Sequence, residues 1–453
     1  MTRLPVALLI ALLIQVPAIP QDVPPKKVIS ETERTKVFQK EMTALRGLEF
    51  TKEVTVGTYT REELLAFLKK ELEREHPREE VDRVRKALVH FGLVPADLDL
   101  YQTVIELLGA SIAGFYHPKT KELRLIKPGE GVPDDDELLE MFGIKVNLHD
   151  VTLIHELCHA AQDQNFDLNT LPMELKTNDD LVMAVQSLVE GDATVVGLKY
   201  GFKDKFDAVS KIISQDYKDG GLGEEAAKFP AYLRKTLTFP YGYGADFVVE
   251  VLNRAKGDWS AVSKAFSDLP SSTEQILHPM KYFGPERDYP QELALQGLGE
   301  IIGGGWTAIY NNVHGEFGTR LVLDEFKIAT ARGRRKAAEG WDGDRYYIFE
   351  NEKGGLAGVW FTTWDTEEDA REFFDAYALL LLAKHEGAER EAADQKVTLT
   401  KGATRAVLER RGADVLIFDG FGAEESGRIN RAWSAAKKTE IRKVDRVPAK
   451  ENK

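Results

Sequence analysis

Along much of this 453-residue chain the apolar positions recur every three or four residues, and that spacing predicts helices. Residues 30–46 carry the pattern. Thr60-Arg61-Glu62-Glu63 reads as a capping box ahead of Leu64, Leu65 and Leu68. Val81, Val84, Leu88 and Phe91 share one face of a further helix, and residues 98–108 predict another. Over residues 111–126 the period changes to two. Leu123 and Leu125 alternate with Glu122 and Arg124 behind a Pro-containing turn, which predicts a β-hairpin. Helical spacing returns over 150–164, with Asp150 as the expected N-cap. It returns again after Asn178-Asp179-Asp180, in a segment apolar on most sides, and near Thr238 and Asp258. Beyond Arg332, strand patterns over 345–349, 357–362, 397–400, 405–409 and 415–418 surround one helix capped by Thr366.

The expected fold class is therefore α+β: a mostly helical unit with a small hairpin or sheet, followed by a small C-terminal α+β domain. The expected divisions are a signal segment over 1–18, a linker and N-terminal helix over 19–45, the helical unit over 46–300, a linker over 301–334, the second domain over 335–440 and a disordered tail over 441–453. Arg3, the apolar run Leu4–Leu13 and the small residue Ala18 read as a cleavable export signal, too short to span a bilayer. Export to the periplasm or the cell exterior, without stable membrane insertion after cleavage, is the expectation.

Composition narrows the functional classes. The net charge is −14, and only short stretches near Arg334 and after Ala435 are basic, which excludes a general nucleic-acid binder. The one cysteine, Cys158, rules out an internal disulfide and reads as a packing residue rather than a ligand. Asp342, Asp344 and Glu367 to Asp369 read as solvated caps.

The chemistry concentrates in His155-Glu156-Leu157-Cys158-His159. On a helix, positions i and i+4 share a face, so His155 and His159 present two imidazoles to one ion. This is the H-E-x-x-H spacing of zinc peptidases, in which the glutamate, here Glu156, acts as general base. Glu190 lies on the later apolar helix, where an ionised carboxylate needs a partner; zinc supplies one, and a buried Arg or Lys is the bland alternative. Gly191 is costly within a helix and reads as relief of bulk beside the metal or substrate. Three ligands and a water make an open catalytic zinc site.

His155–His159 followed by Val189-Glu190-Gly191-Asp192-Ala193 resembles the gluzincin clan of zinc metallopeptidases. Ala113-Gly114-Phe115-Tyr116, the run from His159 to Leu168 and Pro270–Pro279 are similar to an exported bacterial group of that clan. The resemblance implies a zincin-like domain over 46–300, one Zn2+ ion on His155, His159 and Glu190, and a peptide or protein substrate. It also implies a tyrosine donor to the oxyanion, first Tyr241 and second Tyr243, where aromatic packing is the alternative. His278 is the further candidate for oxyanion contact or leaving-group protonation. The chain departs from the clan at Thr194, where an Asp often orients a zinc-bound histidine; Asp163 and Asp192 are both candidates for that task. The 121–126 strand is expected either to hold substrate along a free edge or to serve as a structural hairpin. The rival reading is a non-catalytic zinc-containing binding or structural protein that works through its C-terminal domain. Hydrolysis of a non-peptide amide is a weaker alternative.

Overall fold

A computed structural model describes residues 31–127, 147–284, 287–422 and 425–447. The expected signal segment over 1–18 lies outside the described residues, as does the end of the expected tail. The architecture is α+β.

The N-terminal half is built on helices Glu31–Arg46, Arg61–Glu75, Arg78–His90 and Leu100–Ser111. The Thr60 capping box forms in full: its hydroxyl accepts from Glu63 N at 3.1 Å and its own N–H donates to the Glu63 carboxylate at 2.8 Å. The hairpin forms as β2 (Gly114–His117) and β3 (Glu122–Ile126). A strand not foreseen, β1 (Thr55–Tyr59), pairs parallel with β3, so the sheet order is β1-β3-β2. The 121–126 strand is thus central and has no free edge; among the described residues no further strand pairs with β2.

Three long helices follow. The histidine helix, Leu148–Phe166, is capped by the Asn147 side chain on His149 N. Asp150 instead pairs with Arg34 from the first helix. The glutamate helix, Asp179–Phe202, is capped by Asn178 as expected. The tyrosine helix, Ala231–Arg254, begins well before Thr238 and carries Pro240 in its interior. Among the described residues, one helical stretch, Asp179–Lys218, is long and apolar enough to cross a membrane; 94% of its apolar window is buried in the protein.

The stretch expected to be a linker, 301–334, holds β5 (Trp306–Asn312) and helices Gly315–Phe326 and Ala331–Lys336. Its glycines hide a strand whose Tyr310 is buried. β5 opens an antiparallel seven-stranded sheet with β6 (Trp341–Asn351), β7 (Leu356–Trp364), β8 (Glu389–Ala393), β9 (Lys396–Lys401), β10 (Thr404–Arg411) and β11 (Asp414–Phe421), in the order β5-β6-β7-β11-β10-β9-β8. Helix Glu367–Lys384 covers one face through Phe373 and Tyr377 against Trp360. On the other face Ile301, Ile302 and Ile429 pack on Phe361 and Phe418. Asp344 is no solvated cap. It is buried and accepts from His314 N, Gly315 N and the indole N–H groups of Trp341 and Trp360. The basic run after Ala435 also finds partners. Residues Ala436–Glu440 form β12, which pairs with Gln291–Leu295 (β4), and Arg446 bonds to the carbonyls of Phe166 and Phe266.

Candidate metal centre

The histidine and glutamate helices pack so that His155 Nε2, His159 Nε2 and Glu190 Oε2 converge. The separations are 2.8 Å between the two imidazoles, 3.1 Å from His159 to Glu190 and 3.4 Å from His155 to Glu190. Both histidines are buried, and Glu190 keeps 12% of its side chain exposed toward a cavity. Nitrogen and oxygen ligands set tetrahedrally at 2.0–2.1 Å from zinc stand about 3.3 Å from one another. The donor set and its spacing therefore fit such an ion.

Burial and the neighbouring His159 hold the His155 pKa down to about 4. Burial opposes protonation of His159, but Glu190 overrides it and raises that pKa to about 9. Glu190 is pulled down to about 2 by the two imidazoles, against the effect of burial. The shifts describe an ion pair, a protonated His159 beside an ionised Glu190, with His155 held neutral.

Glu156 points into the same cavity, which has a volume of about 200 Å³. Burial raises its pKa to about 8; His159 and a hydrogen bond from the Tyr116 backbone oppose the rise, and Glu190 adds to it. That bond ties the general-base candidate to β2. Asp163 fixes β2 on the histidine helix, accepting from the Tyr116 hydroxyl at 2.7 Å and from Lys121 at 2.6 Å. Asp163 therefore docks the hairpin and leaves the histidines to other partners.

Those partners are Gln162, Asp192 and Arg46. Gln162 Oε1 lies 2.9 Å from His159 Nδ1, while its amide nitrogen donates to Val189 O and to Asp192 Oδ2, both at 3.0 Å. Asp192 pairs with Arg46 at 2.6 Å, and both side chains are fully enclosed. The ring of His155 bonds to the backbone of Ala193. Cys158 is buried and stands outside the cluster.

Tyr241 lines the cavity, with its ring centroid 6.4 Å from that of His155 and 5.8 Å from that of Tyr217. Two glycines put it there. A Cβ on Gly191 would stand 2.2 Å from Gly244 O, and one on Gly244 would stand 2.3 Å from Ser187 O. The glutamate and tyrosine helices cross backbone to backbone at this point. Gly191 thus serves the helix crossing and not clearance beside the metal. Tyr243 faces elsewhere, accepting from Arg320 at 3.1 Å beneath the Lys218 ammonium. His278 is also apart from the cluster. It pairs with Glu316 at 2.9 Å near Lys281, whose ammonium bonds to Glu274, Asp288 and Asp365. Lone glutamines and a distant arginine have no sequence signature, so Gln162, Gln186 and Arg46 escaped the sequence reading. Tyr217, whose ring packs on that of Tyr241 and whose pKa is raised by burial, Asp216 and Glu190, escaped it as well.

A family model described as a domain of unknown function (DUF8575) matches residues 307–430, a span that starts inside the expected linker. No curated protein matches the chain. Among solved structures, a protein of Chloroflexus aurantiacus described as "a putative hydrolase with a novel fold" is 15% identical, with a TM-score of 0.34, over 57% of this chain and 91% of its own. A likeness that slight carries neither fold nor activity across.

Proposed function

We propose that the chain is an exported hydrolase of peptide bonds that works with one zinc ion on His155, His159 and Glu190, in the manner of the gluzincins. The observation that carries this reading is the convergence of three ligand atoms within 4.8 Å of one another beside a cavity that Glu156 also lines. A zinc ion in such a donor set supplies Lewis acidity toward a carbonyl oxygen and makes water a nucleophile near neutral pH. Glu156 accepts the proton of the attacking water and delivers it to the leaving amine. Tyr241 is the donor on the cavity wall for the negative charge that develops on the carbonyl oxygen. The edge of β2 away from β3 takes the substrate in extended form, a task that β3 lacks the edge for. Export rests on the Arg3 and Leu4–Leu13 pattern.

Metal analysis and a peptide library read by mass spectrometry test the reading. One zinc per chain and cleavage by the unaltered protein are expected. Glu156→Gln should retain zinc and lose about 10²- to 10⁴-fold in turnover. Unchanged cleavage by that variant refutes the mechanism, and stoichiometric zinc without any cleavage favours the non-catalytic zinc protein.

A further inference from the structure

The cavity beside the cluster is walled by Phe67, Leu68, Leu72, Leu108, Phe115 and Val189. Polar side chains line it as well, Glu71, Glu75, His117, Lys119, Asn169 and Glu174 among them, and two more are buried with an atom that finds no partner among the described residues. Gln186 lies one turn before Glu190 on the same face of the glutamate helix, is 4% exposed, and its Oε1 has no hydrogen-bond partner among the described residues. His76, 5% exposed, lines the same cavity, and its Nδ1 likewise has none. Buried polar atoms in folded proteins are satisfied as a rule, and an exception calls for an explanation. Val182, Val185 and Val189 surround Gln186 on its helix, so an apolar side chain at 186 would suit the fold at least as well.

The lining away from the cluster holds Glu71, Glu75 and Glu174 against Lys119, and each of these carboxylates is already paired with a cation. Lys119 pairs with Glu75 and Glu174, and Glu71 pairs with Arg74. The volume of about 200 Å³ exceeds the roughly 150 Å³ of an apolar cavity that admits benzene, so an aromatic ring fits.

We propose that this cavity is a recognition pocket for a bulky, uncharged aromatic group that carries a hydrogen-bond donor, and that Gln186 Oε1 accepts that donor. In a peptide substrate the group is a tryptophan or tyrosine side chain beside the scissile bond. The assignment to a substrate rests on the hydrolase reading above; the pocket's chemistry does not.

Indole and indene, which differ at the ring N–H, test it by isothermal titration of the full chain. The unaltered protein should bind indole about tenfold more tightly than indene, because indene leaves the buried acceptor unpaired. Gln186→Met should remove the preference while melting no lower than the parent. Equal affinities in the parent, an unchanged preference in Gln186→Met, or binding of neither probe overturns the proposal. Preference for indole in a chain that cleaves no peptide supports the pocket and refutes the hydrolase. Cleavage without that preference does the reverse.

Discussion

Replacing Gly191 by Ala tests how the centre is assembled, because two physical effects oppose each other there. Alanine is the better helix former, by about 1 kcal/mol. Yet the added methyl would stand 2.2 Å from Gly244 O, 2.3 Å from Gly244 C and 2.9 Å from Ala245 N. These are backbone atoms on a packed helix, and the shortest approach falls about 1 Å inside ordinary van der Waals contact. The glutamate and tyrosine helices must part to admit it, and such overpacking costs about 1–3 kcal/mol. The net effect is destabilising. It also moves Glu190, the adjacent residue, by more than the ±0.2 Å or so that a metal–ligand distance tolerates, so zinc affinity should fall at least about tenfold. Gly197 on the same helix is the control. A Cβ there would meet Val151 at 3.4 Å and His155 Cβ at 3.7 Å, which is ordinary contact. Gly197→Ala should therefore melt no lower than the parent. Thermal melts and zinc competition against a chromophoric chelator read both variants. If Gly191→Ala is as stable as Gly197→Ala and binds zinc like the parent, the helix crossing does not set the position of Glu190.

Two further outcomes are expected. Gln162→Leu removes the partner of His159 Nδ1 and should weaken zinc binding about 10- to 100-fold, measured by the same chelator competition; parental affinity would show that the amide has no part in orienting the ring. His314 is buried among Phe91, Tyr346 and Trp360, and burial, followed by the nearby His90, holds its pKa at about 3 against an ordinary 6.5. As pH falls below 6.5 the unfolded chain takes up a proton that the folded chain refuses, so stability falls until pH approaches 3. His314→Phe should thus gain on the parent by about 2 kcal/mol between pH 7.5 and 5 in denaturant titrations, and parallel pH profiles would refute the assignment.

What sequence made legible was local. Cap residues at Thr60, Asn178 and Thr366 act as their chemistry dictates, and the five C-terminal strands lie where the alternation put them. Spacing also brought out His155, Glu156, His159 and Glu190, because i, i+4 periodicity and an ionised residue in an apolar helix are one-dimensional signals. What stayed hidden depends on partners remote in sequence. β1 takes the edge of β3 across a gap of more than sixty residues. Asp344 looks solvated until two indoles and two backbone N–H groups close on it. His278 was singled out by its local string, and local strings carry no information about which end of a neighbouring helix they meet.

The buried polar chain from His159 to Arg46 raises a question of economy, since an enclosed ion pair such as Arg46–Asp192 adds little net stability over well-packed apolar residues. What the pair does is fix an orientation. Asp192 Oδ2 and Val189 O are both acceptors, so they must face the NH2 group of Gln162, and that settles which way the amide lies. The carbonyl oxygen of Gln162 then faces His159, so Nδ1 of that ring carries the hydrogen. Nε2 then holds the proton that Glu190 accepts, and a cation bound there would displace that proton and take the lone pair. Arg46 ends the first helix, Gln162 lies on the histidine helix and Asp192 on the glutamate helix, so three helices must dock before the imidazole is set. The tautomer that would let His159 serve as a ligand is thus a consequence of tertiary packing, written through one amide whose orientation an ion pair determines.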